Sequence, residues 1–203
     1  IPFGVGVDIG CRMALSIYDI PELFYYENEA KFKRELVAHS KFGAGHGFQG
    51  QYKSNHEVLD RNEFAEHTFI KNLKDKAWSQ LGSSGGGNHF VEFGIIEFST
   101  DDAALNIPKG KYVALLTHSG SRGFGATIAG HYTKIAKETC KLPEVARNLA
   151  YLDLDSDLGQ EYWIAMNLAG DYASACHEII HTKMKKALGA MVLAKVENHH
   201  NFA

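Results

Sequence analysis

Five side chains of the kind that bind transition metals are spread over nearly the whole chain, all but His200 in a short segment marked by glycine. Asp8 and Cys11 lie in GVDIGCRM, His89 in LGSSGGGNHFVEF, His118 in LLTHSGSRGFG and His200 in ENHHNFA. A carboxylate, a thiolate and three imidazoles suit one or two transition-metal ions. If they serve one site, folding has to draw five widely separated donors into a single cleft. Glycine beside a donor lets backbone approach backbone, or an anion, with no side chain between. No single segment is specific; the recurrence is.

Each segment also has a plainer reading. DIGC sets Asp8 and Cys11 around a glycine, and a metal would supply the positive neighbour that a thiol needs to ionise at neutral pH. The alternative is a buried structural cysteine beside a capping aspartate. LGSSGGGNHF offers consecutive backbone N–H groups suited to phosphate oxygens. It is not a Walker A loop, because no Gly-Lys-Ser/Thr follows; a tight hairpin with an incidental histidine is the alternative. LLTHSGSRGFGATIAG reads as a strand, a loop carrying Arg122, then a helix. A helix N-terminus attracts anions, and the planar fork of Arg122 suits phosphate. Its plainer reading is a βα turn that uses glycine for geometry. In ENHHNFA neighbouring side chains of an extended segment face opposite ways, so only one histidine reaches a given metal. An exposed His pair is the other possibility.

Two further patterns compete with this site. His177-Glu178-Ile179-Ile180-His181 matches the H-E-x-x-H zinc-protease string on an expected helix, with Glu197 or His199 as a third ligand. The helix runs on through MKKALGAMVLAK without the metzincin extension, which counts against a protease. Asp153, Asp155 and Asp157 imitate the start of an EF-hand, but Leu158 and Ile164 stand where glycine and glutamate are required. Ser156 or Asp157 is the expected cap of the long helix.

The 203 residues suffice for a real core, and 45% hydrophobic with 22% charged residues is ordinary for a globular protein. A net charge of −3 excludes nucleic-acid binding by global charge, not a local basic channel. Three distant cysteines make no disulfide framework, which points to a reducing, cytoplasmic setting. No stretch reaches membrane-spanning length. Strands are expected at 4–9, 12–17, 90–98 and 112–117, with a short strand followed by an acidic loop over 148–157, and helices at 21–40, 60–80, 126–138 and 160–196. Together these describe a single mixed α/β domain over 1–203, mixed sheets flanked by helices, incomplete at both ends.

Taken in order, GVDIGC, GGGNHFVEF, THSGSRGFG and HNFA resemble the RtcB family of GTP-dependent RNA ligases, and the likeness continues through GQEYW and NLAGDYA. The resemblance implies joining of RNA 3′-phosphate or 2′,3′-cyclic phosphate ends to 5′-hydroxyl ends, in RNA repair or tRNA splicing. GTP and two Mn2+ ions are implied, with Zn2+ or Co2+ as substitutes, and a histidine–GMP intermediate. It assigns Asp8, Cys11, His89, His118 and His200 to metal, with Cys11 bridging. Asn88, His89, Phe90, Val91, Glu92, His200 and Asn201 would meet GTP, and Arg122 the RNA phosphate. The guanylylated histidine is expected beyond the C-terminal end of this chain, so metal binding without complete ligation is expected of it. Arg12 stands where the family more often has glycine, and HHNFA also departs from the commoner form, as in a divergent branch. A dinuclear phosphoesterase for cyclic phosphates and a non-catalytic, metal-dependent RNA-binding module remain alternatives.

Overall fold

The computed structural model describes residues 1–201. Its framework is an antiparallel sheet of four strands, β1 (Cys11–Pro21), β2 (Phe90–Phe98), β3 (Gly110–Ser119) and β4 (Val192–Asn201), in the order β2-β3-β1-β4. Around it run α1 (Pro2–Val5), α2 (Glu22–Glu27), α3 (Glu29–His39), α4 (Glu63–Glu66), α5 (Thr68–Lys71), α6 (Lys74–Gln80), α7 (Arg122–Thr139) and α8 (Asp157–Leu188). The expected α/β class with flanking helices is what the chain adopts; the sheet is antiparallel throughout.

Alternation along the central strands decides which face is covered. Val113 and Leu115 of β3, Tyr18 of β1 and Val91 of β2 pack against Ile180 and Met184 of α8. The opposite flank of α8 presents Tyr162, Met166 and Tyr172 to Phe124, Ile128 and Tyr132 of α7 and to Ala77 of α6. One long helix therefore forms the wall between two apolar clusters. Its ends carry the sequence signals for them. Ser156 Oγ accepts from the Gly159 amide, and Gly189 takes the left-handed conformation (φ 64°) past the last turn.

Five sequence expectations need correction. Residues 4–9 form no strand: Pro2 starts a short helical turn, and Gly6 and Gly10 sit at positive φ, which breaks an extended run. The helix expected at 21–40 is two, separated at Asn28, whose side chain donates to the Phe24 carbonyl. The 60–80 helix is likewise three short pieces. At 148–157 there is no strand; 3-10 turns at Glu144–Leu149 lead into a loop closed by Ser156. The largest miss is at the end of α8. The helix stops at Leu188 rather than near 196, and the remainder crosses the sheet as β4.

Candidate metal centre

Strand register brings the distant donors together. Along β3, His118 lies opposite Met13 of β1 and Phe90 of β2, and Cys11 lies opposite Asn201 of β4. The start of β1, the start of β2, the end of β3 and the end of β4 thus share one end of the sheet. Three glycine-marked segments and the ENHHN stretch, far apart in sequence, are neighbours there.

The donor atoms form two overlapping groups. Cys11, His118 and His200 make one, and Asp8, Cys11 and His89 the other; within each, the ligand atoms all lie within 4.8 Å of one another. Cys11 belongs to both. Its Sγ is 3.1 Å from His118 Nε2 and 3.7 Å from His89 Nε2. His89 Nε2 is 2.6 Å from an Asp8 carboxylate oxygen, and His118 Nε2 is 3.2 Å from His200 Nε2.

The second ring nitrogens explain why these imidazoles point as they do. His89 Nδ1 donates to the Ser84 carbonyl (3.2 Å) and His118 Nδ1 to the Asn88 carbonyl (3.0 Å). Both carbonyls belong to the glycine-rich 82–88 stretch. In a metal-bound form Nδ1 of each ring would keep its proton and Nε2 would turn its lone pair toward Cys11; without an ion, His89 Nε2 donates to Asp8 instead. A backbone carbonyl fixing the tautomer in this way is the usual partner of a metal-ligating histidine. The donor set therefore fits a metal pair that shares a thiolate.

The electrostatics agree. Burial works against ionised Asp8, yet hydrogen bonding and charge at His89 prevail, with a lesser contribution from Arg122, and its pKa falls below the usual carboxylate value. Cys11 is pushed up to about 12, first by burial and then by Asp8. A thiolate beside a carboxylate in a buried pocket needs a cation, and a bound metal would supply it.

Two glycines make room for this arrangement. A Cβ at Gly120 would overlap the Asp8 carboxylate, and one at Gly85 would overlap the guanidinium of Arg122. Arg122 itself is buried, in the left-handed region (φ 57°), with Nη1 3.1 Å from His89 Nδ1 and Nε 3.3 Å from Ser83 Oγ. It therefore approaches the site from behind His89 rather than from solvent. Beside it, the buried Ser84 and Ser121 hydroxyls have no partner among the described residues.

The other expected site residues are placed as follows. Asn88 and Glu92 are exposed, Phe90 is half-buried with its ring 5.7 Å from that of His118, and Val91 is in the core, its side chain turned away from the donors. Asn201 uses its amide to hold the Asp8 carbonyl (2.9 Å), and its own carbonyl accepts from Gly10. His200 joins the donors and adjacent His199 is in neither donor group. Phe202 and Ala203, the end of the HNFA motif, lie outside the described residues.

H-E-x-x-H places both imidazoles on one face of α8, as its spacing requires, but that face is buried against the sheet. Ser16 Oγ meets His181 Nδ1 (2.6 Å), His181 Nε2 meets Thr117 Oγ1 (2.9 Å), Thr117 Oγ1 meets His177 Nδ1 (2.6 Å), and His177 Nε2 meets the Ser119 carbonyl (3.2 Å). Each ring nitrogen thus has a partner, and Thr117 Oγ1 also donates to the Ala14 carbonyl (3.3 Å). Burial, foremost, holds His177 at about 4 and His181 at about 3, so both rings are neutral. Glu178 is on the exposed side with His56. The network grips Thr117 and Ser119 on either side of His118. Only the i,i+4 spacing hinted at it.

Arg12 and Glu197 were not expected as site partners. Arg12 spans from Glu197 (2.6 Å) to the Gly170 carbonyl of α8 (3.0 Å) and the Gly10 carbonyl (3.2 Å), tying the Cys11 end of β1 to β4 and to the helix. Glu197 also accepts from Ser174. A glycine at position 12 would make none of these side-chain contacts.

Fold and site define an α/β domain with metal donors gathered at one end of an antiparallel sheet. Residues 25–203 match the family model described as tRNA-splicing ligase RtcB, and the chain belongs to the RtcB family. It is 28% identical to a tRNA-splicing ligase RtcB of Nanoarchaeum equitans over 98% of this chain and 40% of that protein. It is 24% identical to RNA-splicing ligase RtcB homolog 1 of Entamoeba dispar over 96% of this chain and 42% of the relative. A tRNA-splicing ligase RtcB of Archaeoglobus fulgidus is 29% identical over 88% of this chain and 44% of its own length. The chain thus spans about two fifths of the length of these relatives.

Proposed function

We propose that this chain is the metal- and GTP-binding part of an RNA ligase that joins 3′-phosphate or 2′,3′-cyclic phosphate ends to 5′-hydroxyl ends. The observation that carries the reading is the pair of donor groups sharing Cys11. Asp8, Cys11 and His89 would hold one Mn2+, and Cys11, His118 and His200 a second, with Zn2+ or Co2+ as substitutes. Such a pair neutralises phosphate charge and orients the groups that exchange on phosphorus.

The protein's own contribution is position. The Ser84 and Asn88 carbonyls orient the two buried imidazoles, and Asn201 pins the Asp8 turn. Exposed Asn88 and Glu92, half-buried Phe90 and the backbone of Val91 border the donors where guanine nucleotide would lie, with His89, His200 and Asn201 at its phosphate end. Arg122 and the unpartnered Ser84 and Ser121 hydroxyls supply donors for phosphate oxygens deep in the cleft. In the proposed reaction a histidine nitrogen attacks the α-phosphorus of GTP and releases pyrophosphate. GMP passes to the RNA 3′-phosphate, and the 5′-hydroxyl then displaces it. That histidine is assigned to none of the residues described here. Free Cys11, Cys140 and Cys176 support a reducing compartment such as the cytoplasm. Among the described residues no helix is long and apolar enough to cross a membrane.

The test is incubation of the full-length protein with α-labelled GTP and Mn2+, then with RNA bearing a cyclic phosphate. An acid-labile labelled protein that yields joined RNA is the expected result. Hydrolysis of the cyclic phosphate with no labelled protein would replace the ligase by a phosphoesterase. Metal-dependent RNA binding with neither reaction would leave a binding module.

A further inference from the structure

A second cationic site lies beside the glycine-rich stretch. A pocket of about 400 Å³ between α3, the 47–52 loop and α8 is lined by Lys41, Lys183, His39, Phe48, Gln49 and Tyr52, and by no carboxylate. Lys183 Nζ stands 4.0 Å from the Phe48 ring centre and Lys41 Nζ 5.8 Å from it. Neither lysine is in an ion pair among the described residues, although the chain as a whole is acidic. Two like charges converging on one ring repel unless an anion joins them. Burial, and then Lys41, holds Lys183 below its ordinary pKa, which is the same unmet demand seen from the titration side.

Aromatic surface accompanies the charge. Tyr52 is 69% exposed, and its neighbour Lys53 places Nζ 4.1 Å from the ring centre of Trp78, itself 37% exposed. Lysine and open ring therefore alternate from the pocket outward, the pattern by which single strands are held through phosphate charge and base stacking. A lone nucleotide would use the first lysine–ring set and leave the second idle. The pocket is also fixed to the metal centre. The Lys41 carbonyl accepts from the Ser84 and Gly85 amides, and the Phe48 amide donates to the Ser79 carbonyl. From the other side of the same 79–85 stretch, the Ser84 carbonyl orients His89 and Ser83 meets Arg122.

We propose that Lys41, Lys183, Tyr52 and the Lys53–Trp78 pair form a track for single-stranded RNA running toward its phosphate end at the metal centre. This rests on the RNA-ligase reading and adds to it the surface that holds the strand. The test is fluorescence anisotropy with a short labelled oligoribonucleotide ending in a 3′-phosphate, titrated across salt concentration with the whole chain. Lys41→Gln with Lys183→Gln should weaken binding about tenfold or more and reduce the magnitude of the salt slope by about 1.4. Tyr52→Ala should weaken it about tenfold with the slope unchanged. Exposed Lys41→Gln alone gives a smaller loss in the same direction, free of any folding defect from the half-buried Lys183. Co2+ binding and binding of a fluorescent GTP analogue should match wild type in all of them. Unchanged RNA affinity in the lysine variants would overturn the track alone. So would loss of the GTP analogue with RNA binding intact, which would make it a nucleotide pocket. A wild-type chain that binds metal but no RNA would remove the ligase reading together with the track.

Discussion

At the scale of single residues, the site depends on space as much as on donors. Gly120 has no ligand atom, yet any side chain there collides with the Asp8 carboxylate. Gly120→Ala should weaken Co2+ binding about 10- to 100-fold, as loss of a ligand's support does, while the urea midpoint stays close to wild type. A midpoint that fell in step with metal affinity would make Gly120 a folding residue instead. The buried network beneath β3 gives a second residue-level prediction. His177 and His181 have folded pKa values of about 4 and about 3 against an ordinary 6.5. Since the unfolded chain binds protons first, their contribution is fully present above pH 6.5. It is lost as pH falls toward 4, at about 1.4 kcal/mol per pH unit for each ring. Denaturant unfolding between pH 7 and 4 should show that slope, and His177→Gln should reduce it. An identical slope in the variant would mean the rings do not stay neutral in the fold.

At the scale of elements, β4 matters most and was least legible. Its first half, VLAKV, continues an apolar and basic pattern that reads as helix after KALGAM, and only Gly189 marks the change. What makes it a strand is a tertiary partner: β1 offers a free edge, and local pattern does not contain that information. The strand expected at 148–157 likewise finds no partner strand among the described residues. By contrast β2 was placed from its alternation and β3 from its apolar run. Asp8, Cys11, His89 and His118 were legible too, because glycine near a ligand leaves a local mark. Their second partners, the Ser84 and Asn88 carbonyls, left none, since any residue has a carbonyl. The attachment of β4 can be tested through Glu197, which meets Arg12 across the strands. Glu197→Ala leaves that guanidinium without its carboxylate and should cost about 1–3 kcal/mol. Because β4 carries His200, metal affinity should drop as well. A loss of stability with metal binding untouched would show that His200 is not a ligand.

At the scale of the molecule, an acidic chain sets two lysines at one pocket free of carboxylates and its donor set at one end of one sheet, with the glycine-rich stretch between them. Strand order puts the first and last strands side by side, and so brings Asp8 and Cys11 to His200 across almost the full length of the chain. The proposed metal centre follows from that closure. Its most direct test is the absorption spectrum of the Co2+-loaded chain, since only a bound thiolate gives a sulfur-to-cobalt charge-transfer band. The wild-type chain should show that band, saturating at two ions per chain, and Cys11→Ser should abolish it and weaken both ions together. Co2+ that binds equally well, with an unchanged spectrum, after Cys11→Ser would contradict a shared thiolate at this centre.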